Sequence, residues 1–159
     1  MHGICALCQD ETNLKESHLI PKFVGKWLKR TSATGYLRDI DNINKRQQDI
    51  PKEYLLCHNC EILFSGWEKL FAEQIFLPSL DKELYISSYN EWLSKFCASL
   101  SWRTLISIKR QNNGFNDESD YFLKQTNQAE THLRNFLLGN TSNLDQYEQH
   151  IFHLSEIEK

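Results

Sequence analysis

Four stretches of the chain carry apolar residues at the three- and four-residue spacing that lines one face of a helix. The first is short. Phe23, Val24, Trp27 and Leu28 fall on one side of 22–30, with Lys22, Lys26 and Lys29 on the other. Pro21 suits its first turn, where no amide donor is needed, and Thr31-Ser32-Ala33-Thr34-Gly35 breaks it. The second stretch follows Cys60, repeats Leu63, Phe64, Trp67, Leu70, Phe71 and Ile75, and is predicted to end at Leu77-Pro78-Ser79. A third opens on the capping-box pattern Ser88-Tyr89-Asn90-Glu91, carries Trp92, Leu93, Phe96, Cys97, Leu100, Leu105 and Ile108, and stops at Asn112-Asn113-Gly114. The fourth begins near 116–119 and carries Phe122, Ala129, Leu133, Phe136 and Leu137 before Gly139, a residue suited to a C-terminal cap. These aromatic stripes read as core rather than as a cofactor site.

Between the helices the pattern is weaker. Residues 4–8 predict a short strand and turn, 9–15 a polar second turn, 36–40 a short strand and 41–49 a polar loop. Residues 52–56 lead as a strand into Cys57, and 84–86 form a further short strand. The segment 144–159 fits either an edge strand or a last helix, and His150 and His153 read as surface residues. The expected fold is mainly α with a small β component. It divides into a metal-held lobe, 1–78, and a helical lobe packed on it, 79–159.

Two Cys-x-x-Cys pairs frame the first lobe, Cys5-Ala6-Leu7-Cys8 and Cys57-His58-Asn59-Cys60. A two-residue gap lets a tight turn aim both sulfurs at one tetrahedral ion, so the four thiolates predict one structural zinc site. The 48 residues between the pairs would be presented by that clasp. Strand, knuckle and then helix is the order of a treble-clef finger. Cys97, the fifth cysteine, reads as a core residue.

At 159 residues, 40% hydrophobic and 12% aromatic, the chain can bury a real core. No signal peptide or long uncharged apolar run stands out, and cysteines in metal-like pairs suit a reducing compartment, so a soluble, cytoplasmic protein without a membrane partner is expected. On that expectation the sequon Asn140-Thr141-Ser142 is a chance match. The formal charge is −3, yet 15–52 holds nine Lys or Arg against four acids, a net of +5 that leaves −8 elsewhere. The basic loop between the cysteine pairs therefore suits phosphate, with Lys22, Lys26, Lys29 and Arg30 as nucleic-acid contacts; an unevenly charged solvated surface is the plainer reading.

Within that loop stands His18, between polar residues and the apolar pair that ends at Pro21. A neutral imidazole can take the proton that water loses as it attacks a phosphodiester, while a cation stabilises the leaving oxygen. A hydrogen-bonded structural histidine is the alternative.

Cys5-x-x-Cys8, His18-Leu19-Ile20-Pro21 and Leu55-Leu56-Cys57-x-x-Cys60 running into a helix together resemble the HNH, or His-Me finger, endonucleases in their zinc-ribboned form. The resemblance covers residues 4–70. It implies His18 as general base and a divalent ion such as Mg²⁺ held close by. The motif is degenerate: Ser17 stands where the family has an Asp or His ligand, Pro51-Lys52-Glu53 where an asparagine is usual, and Glu61 and Ser65 where His or Asn follow the last cysteine. Glu61, with Glu16 or Ser17, is then the oxygen set expected to hold the catalytic ion. Bacterial proteins of this type are often restriction or defence nucleases, which suggests nucleic acid as partner. The competing expectation is a catalytically inactive zinc-finger binding module that contacts nucleic acid, a protein partner or a second copy of itself.

Overall fold

The computed structural model describes residues 1–39, 42–80, 90–111 and 119–151. In chain order the elements are β1 (His2–Ile4), β2 (Glu11–His18), α1 (Lys22–Thr31), β3 (Leu37–Arg38), β4 (Arg46–Gln47), β5 (Lys52–Cys57), α2 (His58–Phe71), α3 (Leu77–Leu80), α4 (Glu91–Arg110) and α5 (Asp120–Leu138). The chain is mainly helical with small sheets, as the apolar periodicity implies.

β1, β2 and β5 form an antiparallel sheet in that spatial order, with β2 in the middle. The polar segment read as a turn over 9–15 is thus largely strand. Only Leu14 and Ser17 of β2 are buried, so its apolar signal is one leucine, and its pairing with β5 comes from a distant part of the chain. The register runs Leu14 to Cys57, Lys15 to Leu56, Glu16 to Tyr54, Ser17 to Glu53 and His18 to Lys52, skipping Leu55. This bulge allows Leu55, Leu56 and Cys57 to be buried in succession, where a regular strand would turn every second residue outward. The Leu55 carbonyl, freed from the ladder, accepts from the Ala6 amide of the first cysteine turn at 3.0 Å.

The connection from β2 to β5 carries α1 and the small β3–β4 hairpin. Ile40 and Asp41, within the segment read as strand and loop, lie outside the described residues, as do 84–86, Ser88, 112–114 and His153. Helix α1 docks through Phe23 and Trp27, whose ring centroids lie 4.9 and 5.8 Å from that of Phe76. Gly25 is its buried contact with the loop before β5: a Cβ there would come within 2.9 Å of Ile50 Cγ2.

The helix after Cys60 does not stop at Pro78. It widens into a π-helical turn over Ala72–Phe76, where the Leu77 amide donates to the Ala72 carbonyl, and continues as α3. A proline ring collides with the carbonyl four residues back in a regular helix. The wider turn just before Pro78 accommodates it. Helix α4 is capped by Asn90, whose side chain accepts from the Trp92 amide, two residues after the cap predicted at Ser88. α5 is capped by Ser119 and ends at Gly139, where φ is +78° and glycine pays no steric penalty. Described residues after Gly139 form no strand or helix.

One buried cluster joins Cys5, Leu7, Leu55, Leu56 and Phe64 to Trp102, Ile106, Leu133 and Phe136, so the expected lobes share a core. Helix α2 packs against both β2 and β5 of the sheet and against α4, and α5 packs against α4.

Candidate functional site

The four paired cysteines converge. Their sulfurs all lie within 4.8 Å of one another, and among the described residues they are the group of three or more His, Cys, Asp or Glu side chains able to hold one metal ion. None is in a disulfide. Cys8 Sγ and Cys57 Sγ are 3.8 Å apart, about the edge of a tetrahedron with metal–sulfur bonds of ~2.3 Å. Backbone amides point at the sulfurs as well: Cys57 N donates to Cys5 Sγ at 3.3 Å, and Cys60 N to Cys57 Sγ at 3.5 Å as the N-cap of α2. The first turn is sharp enough to hold Gln9 at a φ of +67°, secured by its amide on the Cys5 carbonyl and its side chain on the Ala6 carbonyl.

Without a metal, two of these thiols, Cys8 and Cys60, resist ionisation. Burial pushes Cys8 up to about 12 and Cys60 higher still. At Cys5 burial also opposes ionisation, but the amides of Cys57, Cys8 and Leu7 outweigh it and bring the thiol below its ordinary value. A divalent ion supplies the missing positive charge. The donor set therefore fits a structural metal site.

Beside this clasp, the end of β2 meets the start of α2. Ser17 is fully buried and donates through Oγ to Glu61 Oε2 at 2.6 Å. Glu61 lies in the first turn of α2, immediately after Cys60. His18, the next residue, ends the strand with its side chain mostly covered, and Nε2 stands 3.4 Å from Asp49 Oδ2. Asp49 also pairs with Lys52 at 2.8 Å. The Lys52 hydrogen bond first, then the Ile50 amide and His18, hold the Asp49 carboxyl well below the usual carboxylate range. The structure thus brings Ser17 onto Glu61, while the ring of His18, the next residue, pairs with Asp49. Glu16 is exposed, and its charge acts on Lys52.

The sequence matches no protein-family model, no curated protein and no solved structure. The site must be read from its own geometry.

Lys22, Lys26 and Arg30 are exposed on α1, in the same strand-to-strand connection as Asp49. Lys29 is partly covered and donates to the Gln48 carbonyl at 2.7 Å, tying α1 to the loop. Sequence reasoning missed three residues here: Asp49, Glu68 and Arg103. Asp49 was one acid in a polar loop. Arg103 lies in a stripe with Lys95, Ser99 and Ser107, polar residues every fourth position of α4 and all buried. That four-residue polar period was the available signal.

Proposed function

We propose that the chain is an HNH-like, metal-dependent endonuclease that hydrolyses nucleic-acid phosphodiesters, its treble-clef finger held by zinc on Cys5, Cys8, Cys57 and Cys60. The observation that carries this reading is the 2.6 Å contact of Ser17 with Glu61 beside His18. A hydroxyl of β2 and a carboxylate of α2 meet there, and the imidazole stands on the next residue of the strand, paired with Asp49.

In this reading His18 is the general base. Its Nε2 proton faces the Asp49 carboxylate, which leaves the lone pair on Nδ1 to take a proton from the attacking water. Glu61, with the Ser17 hydroxyl beside it, offers hard oxygen donors, and Mg²⁺ requires only one or two carboxylates because it keeps waters and substrate phosphates. When bound, such an ion supplies positive charge to the phosphate and its leaving oxygen. Lys22, Lys26 and Arg30 hold the backbone phosphates on the exposed side of α1.

One observation favours a second reading, a zinc-held binding module for nucleic acid or a protein. The Ser17 hydroxyl already occupies Glu61 Oε2, and the cysteines are the metal-ligand cluster found among the described residues. Incubation with supercoiled DNA, single-stranded DNA and RNA in Mg²⁺, Mn²⁺ or Ni²⁺ separates the two. Metal-dependent nicking supports the nuclease, and salt-sensitive binding without nicking supports the module.

A further inference from the structure

Consecutive residues at the end of β2 are fastened to one face of α2. Ser17 reaches Glu61 through its side chain. His18 is reached through its backbone, by a residue from the other half of the chain. Arg103 of α4 donates from Nη1 to the His18 carbonyl at 2.7 Å, while its Nη2 forms an ion pair with Glu68 Oε1, also at 2.7 Å. Glu68 lies seven residues beyond Glu61 on α2, two turns along the same face.

Arg103 is a demanding residue to place here. It is 2% exposed, its Nε lies 3.4 Å from the Ser99 carbonyl, and its guanidinium stands 5.3 Å over the Phe64 ring. Burying a guanidinium costs much solvation, and an apolar pair of similar volume often serves stability as well or better. Burial raises the Glu68 carboxyl, with Glu61 adding to the effect, and Arg103 pulls it back. What an apolar pair cannot supply is a donor on the His18 carbonyl. The next amide, of Leu19, is itself held by the Pro51 carbonyl at 3.1 Å, so the peptide after His18 is gripped from both sides.

We infer that Arg103 is the positioning residue of the His18 site: its planar fork spans the His18 carbonyl and Glu68, and so fixes the strand end bearing the imidazole against the helix bearing Glu61. The catalytic meaning of this rests on the nuclease reading of His18, whereas the positioning itself does not. Lysine cannot replace arginine in this role, because a single ammonium does not present two divergent donors to separated acceptors in a fixed plane.

The test uses the full chain, with Arg103→Met and Glu68→Met combined so that neither charge is left buried alone. The ring ¹⁵N shifts of His18, assigned by their loss in His18→Ala, report its tautomer and surroundings. In the double variant they are expected to move toward the averaged pattern of a free imidazole, with zinc content and near-UV spectrum unchanged. Nicking is expected to slow about tenfold to a hundredfold at little changed KM. Arg103→Lys should move the shifts in the same direction, and it carries the measurement if the double variant loses its near-UV spectrum. Unmoved His18 ring shifts in a folded variant would overturn the inference. A parent that cleaves nothing removes the nuclease reading and leaves the ring shifts to decide the positioning.

Discussion

The Ser17 hydroxyl donates to Glu61 Oε2 at 2.6 Å across 44 positions of sequence, joining the end of a strand to the first turn of the helix after the second cysteine pair. Ser17 is fully buried, so no water replaces this partner on the serine side. Ser17→Ala should lower stability by about 1 kcal/mol, the lower part of the range for such bonds because Glu61 is only half-buried and can be rehydrated. Ser17→Asp should be less stable than the parent without divalent ions and should gain more in Tm on adding Mg²⁺ or Mn²⁺. An equal gain in both proteins would remove the cation from this corner of the fold.

The cysteine cluster should take one equivalent of zinc, with Cys57→Ser losing it and loosening the sheet that β5 completes. Because burial raises the Cys8 and Cys60 thiols, zinc must displace protons, and its apparent affinity should fall as pH drops from about 8 to 6. Chelator competition across that range measures this. Less than about half an equivalent of zinc by elemental analysis in reducing buffer would count against the site.

This cluster was the most legible part of the sequence, since two Cys-x-x-Cys pairs carry their own geometry. The helices were legible too, through Phe64, Phe96, Leu133 and Phe136. β2 was hidden because its long-range ladder leaves only Leu14 and Ser17 inside, and local periodicity cannot register a partner strand so far along the chain. The continuation past Pro78 was hidden because the proline signal is local, whereas the π-helical turn that absorbs it involves the preceding five residues. The resemblance grouped Glu61 with Glu16 or Ser17 around an ion, and of these two it is Ser17 that hydrogen-bonds Glu61. The clamp by Arg103 was not, since a charged residue is ordinarily assigned to the surface and its two acceptors lie in other elements.

Asp49 gives the site a dependence on acid. A carboxyl whose pKa is lower in the folded chain contributes stability above its unfolded value, near 3.8, and loses it as pH falls through the folded one. The stability difference between the parent and Asp49→Asn should therefore be level above about pH 5 and shrink below about pH 4. Its size should be small, because Asp49 is 42% exposed. Urea unfolding at several pH values checks the sign. A difference that grows on acidification would contradict the pairing with Lys52 and His18.

Nucleic-acid binding should depend on α1 and weaken with salt as counterion release is lost. Lys22→Glu with Lys26→Glu should reduce affinity and flatten the salt slope by about two contacts' worth, while the fold persists because both side chains are exposed. Fluorescence anisotropy at low salt measures this. Equal binding by the double variant and the parent would exclude α1 as the contact surface.

The most direct measurement compares nicking of supercoiled DNA by the parent, His18→Ala and Glu61→Gln in Mg²⁺, Mn²⁺ and Ni²⁺, with zinc content and DNA affinity determined alongside. The expected result is metal-dependent cleavage by the parent and a loss of at least about a hundredfold in both variants, with zinc and binding close to the parent's. A parent that binds DNA but leaves it intact in all three metals, with His18→Ala merely less stable, would contradict it and leave the zinc-held binding module.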